Sequence, residues 1–384
     1  MQTKRIFSAL ALIVGLLAAN RTDACTGITL KSQDGGTVVA RTIDWSGTVM
    51  DNMYVIMPRA QQQQSLLPDG KTGGMPFISK YGFVGLAVEI PQFVVDGTNE
   101  AGLSAALYYF PGFGEYPEYN PANKDKSISD FQLVSWILSN FSSIDEVKAA
   151  MQDIDVINID SRAATAHWRI TEPSGRQAIL EIVDGKPHFY DSKIGVMANA
   201  PGYPWHLTNL NNYINLTSGT MSPHKLGFGS MTLKSLSNGS GFLGLPGDMT
   251  SPSRFVRAAF LSQYSRPQTT TYNTVMQAFH LLNNFDVPIG SQYGIDDTPP
   301  DMPSATQWTI ATDLKNHIIY YHTMYDRVIR RIDFDNIDFA RVPFQVHPLD
   351  AHNSQTIIDV TISDTSNIPS EKDIELIAEK VFQR

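Results

Sequence analysis

Cys25-Thr26-Gly27-Ile28-Thr29-Leu30-Lys31-Ser32-Gln33-Asp34-Gly35-Gly36-Thr37-Val38-Val39-Ala40-Arg41-Thr42-Ile43-Asp44 organises the rest of the chain. Two β-prone runs, 26–31 and 37–44, flank an Asp-Gly and Gly-Gly turn, the pattern of a tight hairpin. Such a hairpin folds its second strand back along its first, so Arg41 and Asp44 return beside Cys25. Cys25 is the single cysteine in 384 residues. An arginine beside a thiol favours the thiolate and lowers its pKa. Asp44 is placed to accept a hydrogen bond from an amine at residue 25. The same spacing also fits an ordinary surface ion pair on a hairpin.

What precedes Cys25 gives the thiol its meaning. Met1-Gln2-Thr3-Lys4-Arg5 is a short basic start, Ile6 to Ala19 is an almost unbroken apolar run, and a polar stretch ends in Thr22-Asp23-Ala24. This is the three-part form of a secretory signal peptide, and its apolar run is short for a bilayer span. The expectation is a cleavable signal over residues 1–24 and an exported protein, periplasmic or secreted, with no stable membrane insertion after the cut. A lipoprotein signal competes with this reading, but it normally carries an apolar residue three before its Cys, where this chain has Thr22. Cleavage after Ala24 leaves an α-amine and a thiol on one residue. Their unperturbed pKa values are roughly 7.7–8.0 and about 8.5, and an N-terminal amine can activate a hydroxyl or thiol nucleophile.

Composition narrows the function classes. The formal net charge is −9, and the leader holds Lys4, Arg5 and Arg21 against one acid, Asp23, so the remainder is more acidic still. An acidic exported chain is a poor partner for nucleic acid. One cysteine excludes an internal disulfide and leaves an intermolecular link or a reactive thiol. The nine histidines are scattered without metal-ligand spacing, so neither metal nor cofactor is expected. Gly102-Leu103-Ser104-Ala105-Ala106 departs from the serine nucleophile elbow and reads as strand. Sequons at Asn140, Asn215 and Asn238 matter only in a glycosylating host.

Along the chain, 79–89 and 102–110 read as strands joined through Asp96-Gly97-Thr98-Asn99. Helices follow at Ile128 to Phe141 and Ser143 to Met151, the second capped by Ser143. A three-strand meander spans 164–190, turning at Glu172-Pro173-Ser174-Gly175 and Asp184-Gly185-Lys186-Pro187. Long loops over a short helix occupy 201–252, helices 253–264 and 272–283, and strands 307–312, 317–323 and 327–333. A short strand and a closing helix from Ser370 complete the tail. Hairpin connections without βαβ alternation make this an α+β chain with mainly antiparallel sheets, and one domain over 25–384.

Six blocks carry a family resemblance: Cys25-Thr26-Gly27, Arg41-Thr42-Ile43-Asp44-Trp45, Asp96 to Leu103, Leu107 to Gly112, Gly195 to Pro201, and Leu245-Pro246-Gly247-Asp248 with Ser253-Arg254-Phe255-Val256-Arg257. Together they resemble the choloylglycine hydrolase family, which includes penicillin V acylases and conjugated bile salt hydrolases. The resemblance implies an N-terminal-nucleophile hydrolase with a four-layer αββα fold of two stacked antiparallel sheets. It implies Cys25 as nucleophile, Arg41 as the cation beside its sulfur and Asp44 as the carboxylate holding the α-amine. Asn199 then supplies the oxyanion-hole side chain, Tyr109 the partner backbone N–H, and Arg254 a second arginine near the nucleophile. Ala198 and Ala200 depart from the family pattern, which often has Thr and a Ser, Asn or Asp there, and so alter the surroundings of Asn199.

The implied activity is hydrolysis of the amide bond of a small N-acyl compound. Tyr109 favours a penicillin V acylase-like enzyme, with N-acyl homoserine lactones as further substrates and a conjugated bile salt hydrolase as the alternative. An exported, non-catalytic ligand-binding module is the alternative from another class. Trp45, Tyr54, Tyr81, Phe83, Tyr108, Tyr109, Phe110, Phe113 and Trp205 include the candidates for lining an apolar acyl pocket. The resemblance also implies a homo-oligomer, a tetramer or smaller.

Overall fold

The opening hairpin forms as its sequence requires. Strands β1 (Ala24–Lys31) and β2 (Thr37–Ser46) pair antiparallel, with Cys25 opposite Ile43, Gly27 opposite Arg41 and Ala24 opposite Asp44. The computed structural model describes residues 24–46, 50–159, 164–227, 231–236, 241–292, 304–360 and 370–382, so the leader lies outside the described residues. Side chains alternate along a strand. Cys25, Arg41 and Ile43 therefore point to one face of the hairpin, and Thr26, Thr42 and Asp44 to the other. The Asp34 carboxylate fastens the turn to the next layer, accepting hydrogen bonds from the Thr271 N–H at 3.2 Å and the Thr271 hydroxyl at 2.9 Å.

Around the hairpin, the first sheet runs in the order Val196–Met197, β1, β2, Ser304–Asp313, Ile318–Thr323, Arg330–Asp333. The second runs Lys186–Asp191, Gln177–Val183, Ala166–Thr171, Ser104–Tyr109, Val94–Asn99, Phe83–Val88, Asn52–Met57, Gln345–Pro348. Among the described residues, every pairing in both sheets is antiparallel. Helices Ser251–Tyr264 and Thr271–Leu282 cover the first sheet and Leu133–Asn140 covers the second, giving the four layers. Gly27 leaves room for the second sheet: a Cβ there would collide with the Tyr108 hydroxyl.

Three segments differ from their reading in the sequence. Residues 94–99 are a fully buried strand, Val94–Asn99, and the turn begins only at Asn99, whose Oδ1 accepts the N–H groups of Ala101 and Leu103. Residues 127–129 are a short parallel strand beside Asp155–Ile157, which delays the helix to Leu133–Asn140. A tail strand lies at Gln345–Pro348, and none is formed among the described residues 350–360. The rest of the expected segment lies outside the described residues, and the closing helix holds at Glu371–Phe382. Ser143 caps Ile144–Ala150 as read, accepting from the Glu146 N–H at 3.3 Å.

The core also holds ionisable groups. Burial pushes Asp130 up to about 7, although its carboxyl accepts from the Phe131 N–H at 2.9 Å and the Ser129 hydroxyl at 3.3 Å. A folded-state value above the unfolded one, about 3.9, contributes stability that is fully present below about pH 4 and lost as pH rises through about 7. Asp130→Asn should remove that loss. Relative to wild type, its unfolding free energy should improve as pH is raised from 5 to 8, by at most a few kcal/mol, the limit that linkage sets. Parallel melting curves across that range would contradict this charge state.

Candidate active site

The two faces of the hairpin supply different chemistry. On the face toward the second sheet, Cys25 lines a cavity with Arg41, Ile43, Trp45, Met50, Val88, Phe93, Val95, Leu107, Tyr109 and Phe131 among its walls. Arg41 is completely buried. Its Nη1 donates to the carbonyls of Leu107 at 2.5 Å and Val95 at 3.3 Å, and its guanidinium lies 4.1 Å over the Tyr108 ring. Burial raises the Cys25 thiol pKa, and Arg41 is the largest influence lowering it, ahead of an N–H bond from the Asp44 backbone. The expected thiolate-favouring effect of Arg41 is present, but burial outweighs it.

A second guanidinium and a carboxylate stand behind Arg41. Arg169 and Asp96 are 3.6 Å apart and both buried, with Tyr108 between Arg41 and Arg169. Burial lifts Asp96 to about 6 against the pull of both arginines. This cluster keeps positive charge under the thiol inside the sheet sandwich.

On the helix-facing side, Asp44 accepts hydrogen bonds from the Thr306 and Thr42 hydroxyls, the latter at 3.3 Å. Burial pushes it up to about 7 despite Arg254 and Arg41. The Cys25 N–H, a peptide amide while Ala24 precedes it, donates at 2.7 Å to Asn199 Oδ1. The bond expected from an α-amine at residue 25 to Asp44 belongs to the cleaved chain; in the uncleaved chain the nitrogen bonds Asn199. A peptide nitrogen has one hydrogen to give, and Asn199 takes it.

Asn199 is the hub. Its Nδ2 donates to the Tyr109 carbonyl at 2.9 Å, and its Oδ1 also accepts from Arg254 Nη2 at 2.8 Å. Arg254 sits in the first turn of its helix, buried, where a cation is disfavoured by the helix dipole. It is held there by bonds from Nη1 to the Cys25 carbonyl and, at 2.8 Å, to the Thr26 hydroxyl, and from Nε to Met249 O at 3.0 Å. All six residues singled out in the sequence, Cys25, Arg41, Asp44, Tyr109, Asn199 and Arg254, therefore converge on one site.

Sequence reading missed what holds Asn199. His167 Nε2 lies 3.0 Å from the Ala198 carbonyl oxygen and its Nδ1 3.3 Å from Glu181, so both nitrogens face acceptors. His206 Nε2 lies 2.9 Å from the Asn199 carbonyl oxygen, and burial lowers its pKa to about 4. It is therefore neutral and donates from Nε2. Glu181 also accepts the Tyr203 N–H at 2.7 Å, and the two imidazoles stack on Phe110 and Phe255 with centroids 4.3 and 4.4 Å away. The peptides on both sides of the Asn199 Cα are thus gripped from behind, at the position where flanking Ala198 and Ala200 offer no side-chain bonds. Of the candidate pocket aromatics, Trp45 and Tyr109 line the cavity, whereas Phe93 and Phe131 were not anticipated.

Among the described residues no cluster of three or more His, Cys, Asp or Glu is placed to hold a metal ion. The model of the linear amide C–N hydrolases, choloylglycine hydrolase family, matches residues 25–356 and so begins at Cys25. A bile salt hydrolase/transferase of Clostridium perfringens is 31% identical over 323 residues, 82% of this chain and 94% of that protein. A penicillin V acylase of Pectobacterium atrosepticum is 27% identical, over 84% of this chain and 83% of that one. The crystal structure of a mutant conjugated bile acid hydrolase from Clostridium perfringens superposes with a TM-score of 0.75 at 28% identity, covering 88% of this chain and all of that one. A family match of this extent decides for an enzyme over a binding module and for the N-terminal-nucleophile fold. The chain belongs to the choloylglycine hydrolase family, the linear amide C–N hydrolases.

Proposed function

We propose that this protein is an exported amidase that uses Cys25 as an N-terminal nucleophile, acting on penicillin V-type amides and, through the same pocket, on N-acyl homoserine lactones. The observation that carries the reading is the thiol itself, set in an apolar cavity beside Arg41 and next to the nitrogen bound by Asn199. Cleavage after Ala24 turns that nitrogen into an α-amine, which takes the thiol proton. The sulfur attacks the amide carbonyl, and the second Nδ2 hydrogen of Asn199 and the Tyr109 N–H meet the charge on oxygen. The amine passes its proton to the leaving nitrogen, then activates the water that hydrolyses the thioester. Asp44, freed of competition for a single N–H, orients the amine's additional hydrogens from the helix-facing side.

Conjugated bile salts are the second reading, favoured by the 31% identity to a bile salt hydrolase/transferase. Both readings are separated by sequencing the N-terminus of the exported protein and assaying penicillin V, glyco- and tauro-conjugated bile salts, and acyl homoserine lactones of several lengths. The expected result is a chain starting at Cys25 that turns over penicillin V faster than bile salts. An active chain starting elsewhere overturns the mechanism, and a bile salt preference overturns the substrate assignment.

A further inference from the structure

The cavity wall is apolar almost throughout, and Glu89 interrupts it. Glu89 follows the Phe83–Val88 strand and lines the same cavity as Cys25, alongside Met50, Val88 and Phe93. Its φ is 63°, a left-handed conformation that disfavours residues other than Gly, Asn and Asp. The turn is held by a 2.8 Å bond from the Glu89 N–H to the Asp51 carbonyl, and the Asp51 N–H returns a bond to the carboxyl. Carboxyl oxygen Oε1 is nonetheless buried without a hydrogen-bond partner among the described residues. Arg41 is the one cationic residue among the described residues lining this cavity; its Nε and Nη1 donate to Thr42, Val95 and Leu107, and its Nη2 is itself buried without a hydrogen-bond partner among the described residues. A carboxyl oxygen buried unpaired carries a desolvation penalty that a Leu or Met at this position would not incur.

Of the two costs at this pocket residue, backbone strain and a desolvated oxygen, the second is recovered when a ligand supplies the missing partner. We infer that Glu89 is a recognition point for an oxygen on the acyl part of the substrate, so that this amidase prefers acyl groups bearing an ether or hydroxyl oxygen over their all-hydrocarbon counterparts. The inference rests on the amidase reading and narrows it to a substrate class. Burial, reinforced by the neighbouring Asp51 charge, lifts Glu89 to about 7, so around neutrality a large share of the carboxyls keep their proton. The protonated form can donate to an ether oxygen and can both donate to and accept from a hydroxyl. A site built around such a bond rejects the analogue that lacks it, because its own polar group is then left unpaired.

The test is a set of matched amides assayed on the cleaved enzyme. Phenoxyacetyl is compared with 3-phenylpropanoyl, where a methylene replaces the ether oxygen, and decanoyl with decanoyl chains hydroxylated at successive carbons, all on one amine. Wild type should favour the oxygenated member of at least one pair by about tenfold to a hundredfold in kcat/KM. Glu89→Leu should collapse or reverse that ratio by speeding the hydrocarbon member, and Glu89→Gln, which still donates and accepts, should keep part of it. Equal turnover of every pair by wild type, or an unchanged ratio in Glu89→Leu, overturns the inference. So does a preference for an amino-substituted chain over its hydroxylated twin. The wild-type ratios need no variant to fold. Cys25-dependent turnover without oxygen preference sinks only this inference, whereas turnover surviving in Cys25→Ala sinks the amidase mechanism beneath it.

Discussion

Cys25→Ala is expected to lose on the order of 10⁶ in kcat while its melting temperature stays within a few degrees of wild type, as for other enzymes stripped of a nucleophile. The separation of activity from stability follows from where the side chain lies. Cys25 is 5% exposed and borders a cavity, so removing its sulfur enlarges a space that already exists. Its backbone, by contrast, is engaged by Asn199, Arg254 and the β2 register, none of which needs the sulfur. Cys25→Ser should fare little better than alanine. A serine hydroxyl lacks the intrinsic nucleophilicity and thiolate fraction of a thiol, and Arg41 can only partly offset burial even for sulfur. Retention of more than about one part in 10³ of activity by Cys25→Ala would remove the thiol from the mechanism, since binding and the oxyanion donors alone leave only about 10³–10⁴ over the uncatalysed rate.

Asn199→Ala is expected to cost about 10²–10³ in kcat with a smaller change in KM, the usual effect of losing one oxyanion donor. The loss should sit at the upper end, because Asn199 also accepts from Arg254 and from the Cys25 nitrogen. Alanine leaves the buried Arg254 Nη2 without that acceptor. The histidine grip makes a graded companion test. His206→Leu removes the donor to the Asn199 carbonyl and should lower kcat roughly tenfold with KM nearly unchanged, by misplacing the amide rather than by altering the pocket. His206→Gln retains a donor and should recover much of that loss. If both variants raise KM and leave kcat alone, His206 shapes the pocket and does not position Asn199.

The hairpin was readable because its turn chemistry and its β-prone flanks agree, and the observed register places Arg41 and Asp44 where that turn requires. The meander at 166–191 was readable for the same reason. The strand Val94–Asn99 was not, because Asp96-Gly97-Thr98-Asn99 carries turn residues while being buried for other ends: Asp96 faces Arg169, and Gly97 lies in close contact with Gly85 and Leu138. Asn52–Met57 went unmarked beside polar Gln61 to Gln64, although it is an interior strand of the second sheet. Of the site, the six residues carried by the motif blocks were visible. His167, Glu181 and His206 were not, since their proximity is created by a strand pair and a helix that no local pattern connects. Glu89 was silent for a different reason: a lone glutamate in sequence says nothing of its φ or of what surrounds its carboxyl.

The alternation of β1 and β2 divides labour between layers. In the proposed mechanism proton handling draws on the first sheet, the Asn199 segment and the helix bearing Arg254, with the Tyr109 N–H as the second sheet's share of the oxyanion donors. Most of the pocket wall, from Val88 through Phe93, Val95 and Leu107 to Phe131, comes from the second sheet and its loops. Substitutions at the wall residues can reshape what is bound without moving the groups that break the bond. A lineage built on this plan can drift from one acyl group to another through the side chains of the wall, while the backbone carbonyls of Val95 and Leu107 go on holding Arg41.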